Sequence, residues 1–77
     1  MAMFVPCNGP VEHGIDVPLW PNTIRIMVGG DYRMAELESG DCLLYNPDVQ
    51  IENVTASAFA GEPICGDVIM CREEEVA

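Results

Sequence analysis

The chain has no lysine. Its only cations are Arg25, Arg33 and Arg72, set against thirteen Asp and Glu, for a formal net charge of -10. A protein that grips a nucleic-acid backbone needs a basic surface, so direct DNA or RNA binding is disfavoured, and an anionic membrane surface with it. Histidine is equally scarce: His13 stands alone. The four cysteines, at 7, 42, 65 and 71, form no C-x-x-C pair, so the usual zinc-knuckle and thioredoxin-like spacings are missing. There is no G-x-G-x-x-G or Walker pattern, no transmembrane-length apolar run, and Met1 to Val5 is too short for the apolar core of a secretory signal. These absences predict a cytoplasmic chain with free thiols in preference to disulfides.

Seventy-seven residues, 49% hydrophobic and 21% charged, describe one small globular domain spanning 1–77 with a core of limited size. Val28-Gly29-Gly30-Asp31-Tyr32 divides two hydrophobic periods. Upstream, Trp20, Ile24, Met27 and Val28 fall at i, i+4, i+7 and i+8, one helical face. Downstream, Tyr32 to Leu37 alternates as a strand does. Thr23, Ile24, Ile26 and Val28 are β-branched and suit a strand, yet the continuous face, the proline at its start and the glycine pair at its end favour a helix over Pro21 to Val28.

Met3-Phe4-Val5 reads as a first strand, stopped by Pro6. Asn8-Gly9-Pro10 is a turn. Val11, His13, Ile15 and Val17 alternate with polar residues, which gives a second strand with His13 on its apolar face. Asp31 to Glu38 is a strand, Ser39-Gly40-Asp41 a tight turn, and Cys42-Leu43-Leu44-Tyr45 an apolar strand expected to be central in the sheet. Val49 and Ile51 extend a short piece after the Asn46-Pro47-Asp48 turn. Asn53 caps a short helix, Val54 to Ala60, closed by Gly61, with Ala56, Phe59 and Ala60 on one side. Ile64 to Arg72 is the last strand and Glu73-Glu74-Glu75 a solvated tail. The expected fold is α+β: a mainly antiparallel sheet of about five strands with one main and one short helix, in the order β-β-α-β-β-α-β.

The helix ending in Val28-Gly29-Gly30, the hydrophobic strand ending at Asn46, the run Asn53-Val54-Thr55-Ala56-Ser57-Ala58-Phe59-Ala60-Gly61 and the start Gly66-Asp67-Val68 together resemble the small family called domain of unknown function 3846. The likeness covers nearly the whole chain, departing at Asn46-Pro47-Asp48, where the family has an acidic Asn-Glu-type turn. It implies a small protein of phage or mobile-element type, acting in the host cytoplasm, and implies no activity.

Candidate chemistry is thin. A Cys7–His13 nucleophile system lacks a third, orienting group. Cys65 and Cys71, six positions apart on one expected strand, share a face but lie roughly 20 Å apart, too far to share a metal ion. A Cys7–Cys42–Cys65 site with His13 has no spacing signature. No catalytic residue, metal or cofactor is therefore assigned.

Two function classes remain. The first is a non-catalytic acidic protein that binds a protein partner or larger assembly through Glu36, Glu38, Asp41 and Asp48, which cluster in sequence around one hairpin end. Trp20, Tyr32, Tyr45 and Phe59 are its candidate aromatic anchors. The second is a homo-oligomer that sequesters a nucleotide-like anion, gripped by Arg33, Asn53 and Thr55 near a helix start.

Overall fold

The computed structural model describes residues 2–15 and 18–76. Val17, the last apolar position of the expected second strand, lies outside them. The elements are β1 (Ala2–Val5), β2 (Glu12–Ile15), α1 (Pro21–Val28), β3 (Arg33–Glu36), β4 (Cys42–Tyr45), α2 (Val54–Ala60) and β5 (Val68–Cys71). The five strands form one antiparallel sheet in the order β2-β1-β5-β4-β3. This is the α+β fold and element order read from the sequence.

Local chemistry sets both helices. α1 starts at Pro21, where a missing N–H costs nothing, and stops at Gly29, whose φ of 83° is the left-handed conformation a helix end takes up readily at glycine. The N–H groups of Gly29 and Gly30 both donate to the Arg25 carbonyl, each at 2.9 Å. α2 starts at Asn53, whose side chain accepts from the Ala56 N–H, and stops at Gly61 with φ 71°.

The helices cover opposite faces. Ile24 and Val28 of α1 pack with Ala2, Leu19, Leu44, Ile69 and Cys71. Ala56 of α2 packs with Val5, Leu43, Ile64 and Val68. Alternation along β4 and β5 sends Leu44 and Ile69 to one core and Leu43 and Val68 to the other. Strands covered on both faces read as continuous apolar runs, as β4 and β5 do.

Several sequence expectations change. Cys42–Tyr45 is an interior strand, but the middle position belongs to β5, inserted between β1 and β4. The last strand does not run from Ile64. Gly66 adopts a φ of 82° and breaks it, and Cys65 bridges to Glu52 instead. Cys65 and Cys71 are thus not on one strand. The Glu73–Glu75 segment is a 3-10 turn rather than a free tail, and Val76 beyond it pairs in parallel with Leu19. Trp20 flanks α1 as its N-cap and is 62% exposed. Phe59 is 47% exposed, because Asn53, Ala56 and Ala60 form the inward side of α2. His13 sits exposed on edge strand β2, opposite Met3, rather than on an apolar face.

Candidate functional site

The turn joining β3 to β4 is held by its own backbone: the Leu37 N–H donates to the Asp41 carbonyl at 2.8 Å and the Gly40 N–H to the Leu37 carbonyl at 3.0 Å. Gly40 supplies the positive φ, 90°, that the turn requires. Ser39 Oγ donates to Asp41 Oδ2 at 3.0 Å, and Arg72 Nε lies 3.5 Å from Asp41 Oδ1. Asp41 is thereby tied down and partly neutralised, while Glu36 and Glu38 are exposed.

Beside this turn lies the C-terminal end of α2. Glu36, Leu37, Glu38 and Ser39 on one wall and Ala58 to Glu62 on the other enclose a cleft of about 400 Å³. Phe59 lines it, so an exposed ring is framed by Glu36, Glu38 and Glu62. The Gly61 N–H bonds back to the Ser57 carbonyl, and the later carbonyls of α2 end at the same cleft with their partial negative charge. An aromatic face with carboxylates around it suits a cationic side chain carried on an apolar stem.

The expected acidic cluster is therefore three of four. Asp48 is at the other end of β4, in the Asn46-Pro47-Asp48 turn, where its N–H donates to Asn46 Oδ1 at 3.0 Å. The intervening strand separates the ends by roughly 13 Å, which sequence proximity concealed. In place of Asp48 the fold brings Glu73 and Glu74 towards the Asp41 end. Together with Glu36 and Asp41 they are close enough to Cys42 to act on its thiol. Glu62 is the contribution absent from the sequence reading, and the candidate anchor Phe59 is brought beside the acidic turn only by the fold, since α2 and the β3–β4 turn meet only in three dimensions. Of the other aromatic candidates, Tyr32 packs against the α1-side core and Tyr45 against the α2-side core.

The anion-gripping set does not assemble. Asn53 is buried and its amide is fully engaged: Nδ2 donates to the Val5 carbonyl at 2.9 Å and to the Gly66 carbonyl at 2.8 Å, and Oδ1 accepts from the Ala56 N–H at 3.0 Å. Arg33 starts β3 opposite Tyr45, at the far edge of the sheet from β1, whose Val5 Asn53 holds. Three strand spacings, roughly 14 Å, separate them. Thr55 is exposed on the first turn of α2.

The thiols are set against nucleophilic chemistry. Cys7 donates from its N–H to Asp67 Oδ1 at 2.8 Å and from Sγ to the Ile51 carbonyl at 3.7 Å. Burial first, then the Asp67 carboxylate, pushes its thiol upward from the ordinary value. An activated thiol needs the opposite shift. His13 is paired with Met3, four residues before Cys7 and roughly 13 Å away along extended chain. Among the described residues, no group of three or more His, Cys, Asp or Glu is placed to hold a metal ion. Among the described residues, no helix is long and apolar enough to cross a membrane. No known protein family, curated protein or solved structure matches this chain.

Proposed function

We propose that this chain is a non-catalytic binding protein that captures a basic protein surface at the cleft between the β3–β4 turn and α2, with Phe59 as apolar anchor and Glu36, Glu38 and Glu62 as its charged rim. The observation that carries this reading is the exposed Phe59 ring set among those carboxylates. Interfaces draw their affinity from a few central aromatic or apolar anchors, while rim charges steer approach and favour partners of opposite sign. The net charge of -10 extends that steering over the whole molecule. A partner presenting Arg or Lys on an apolar segment has the matching chemistry.

The test is native mass spectrometry of the chain taken gently from its own cells, repeated for Phe59→Ala and for the triple variant Glu36→Lys, Glu38→Lys, Glu62→Lys. An added protein mass in the parent is expected, weakened by salt and lost in both variants. Retention of the partner by both variants rejects the cleft as the contact. Multiples of the bare chain alone reject the partner reading in favour of self-assembly.

A further inference from the structure

Cys42 and Cys71 occupy one rung of the sheet. They are directly opposed partners in the antiparallel pairing of β4 with β5, in register with Leu43–Met70 and Leu44–Ile69. Opposed residues in such a pair have Cα atoms about 4.5–5.5 Å apart, and a disulfide spans roughly 4.4–6.8 Å. Both side chains share the face of Leu44 and Ile69, beneath α1, because side chains alternate along each strand. Both are buried, at 1% and 2% exposure. The same rung is flanked by Asp41 and Arg72, which form an ion pair across the two chain segments.

We propose that Cys42 and Cys71 form a redox modification site: a preset dithiol that closes to a cross-strand disulfide when the chain meets a disulfide oxidant such as glutathione disulfide. The inference stands apart from the acidic-cleft reading. In the first step one protein thiolate attacks a sulfur of glutathione disulfide and releases one glutathione thiolate. In the second, the opposed thiolate displaces the other glutathione. The protein loses two hydrogens, the S–S bond forms, and the electron pair and two protons leave with two reduced glutathiones.

The native fold controls access. Burial raises both thiols, and the carboxylates of Glu36 beside Cys42 and Glu75 beside Cys71 raise them further. Protonated, buried thiols react slowly. Oxidation therefore belongs to folding or to opening of the Glu73–Glu75 end, and the closed bond then persists. Its effect is to staple two interior strands of a domain small enough for the added constraint to matter.

The experiment uses the full chain carrying Cys7→Ser and Cys65→Ser, refolded from its reduced, denatured state in excess glutathione disulfide, so that burial cannot block the reaction. The expected product is two hydrogens lighter, carries no glutathione, and yields a peptide joining Cys42 to Cys71. Its Tm should lie roughly 10 °C or more above that of the same protein after reduction. Adding Cys42→Ala should abolish that difference. Glutathione adducts, two alkylatable thiols under these conditions, or a linked form that melts below the reduced one would each overturn the proposal.

Discussion

The two ends of β4 use polar residues in opposite ways. At the Asn46 end two amides, Asn46 and Asn53, are buried and hydrogen-bonded, and Asp48 alone in the turn is an exposed carboxylate. Asn53 alone joins three segments, tying the end of β1 to Gly66 and capping α2. Asn46 is also buried, accepts from Asp48 and lies against Gly30. At the Asp41 end the polar groups are carboxylates, mostly exposed, and Arg72 pairs with Asp41. Buried polar atoms must be satisfied inside the fold, so they are spent on structure. Carboxylates left in solvent keep their charge free for a partner. The same comparison is why the proposed contact is the acidic cleft and not the Asn53 cap.

Substitutions should expose this asymmetry. The largest effect is expected for Asn53→Ala. It removes the α2 cap and leaves the Val5 and Gly66 carbonyls without their donor, at a cost of about 3–5 kcal/mol. Urea unfolding measures it, and a loss below 1 kcal/mol, on the order of one surface contact, would deny Asn53 its place as the hub.

A second effect comes from pH. The Cys71 thiol is pushed up to about 11 by burial and then by the Glu75 carboxylate, from an ordinary value of 9.0. Between those values the unfolded chain has released this proton and the folded chain has kept it, so the unfolded state gains with rising pH. The contribution is intact below 9.0 and is lost as pH climbs towards 11, at roughly 1.4 kcal/mol per unit at most. Cys42 shifts in the same direction. Stability measured across that window should fall less steeply in Cys71→Ala, and an unchanged slope would assign the loss to other groups.

Glycine substitutions sharpen the comparison at the Asn46 end. A Cβ at Gly30, where φ is +149°, would come within 2.9 Å of Asn46 Nδ2, whereas a Cβ at Gly29 meets nothing within 4 Å. Gly29→Ala should cost about 1 kcal/mol for its left-handed φ alone. Gly30→Ala should cost more, about 2 kcal/mol, since the strain adds to displacement of Asn46. Equal thermal shifts for the two would show that the Asn46 contact is loose.

The smallest effect is expected at the acidic end. Arg72→Ala breaks an ion pair in which Arg72 is 58% exposed, and should change stability by less than about 0.5 kcal/mol. A larger loss would mean that the Asp41 turn depends on that pair.

Where a signal is local, the sequence carries it. Pro21 and the Gly29-Gly30 pair bound α1, and Asn53 and Gly61 bound α2, because capping chemistry acts within one turn of chain. The apolar run of β4 announces an interior strand. Non-local matters were not legible. Whether β4 or β5 takes the middle of the sheet depends on pairing between distant segments. Gly66, whose left-handed turn separates Cys65 from the last strand, carries no side-chain signal of that conformation. Glu36 and Glu38 were visible as an acidic turn, but Phe59 and Glu62 join them only through the packing of α2. Asp48 is near Glu36, Glu38 and Asp41 in sequence but lies across β4 from them in space.

By itself, then, the sequence determined the charge, the α+β class, the two helices and the hairpin strands, since propensity, capping and hydrophobic period are properties of short stretches. Tertiary structure decided which polar residues are consumed and which are left available. Asn53 finds its carbonyls 48 and 13 residues away, and Phe59 meets its carboxylates only across the face of a folded sheet. Burial depends on what the rest of the chain packs against a residue, and no single segment contains that information.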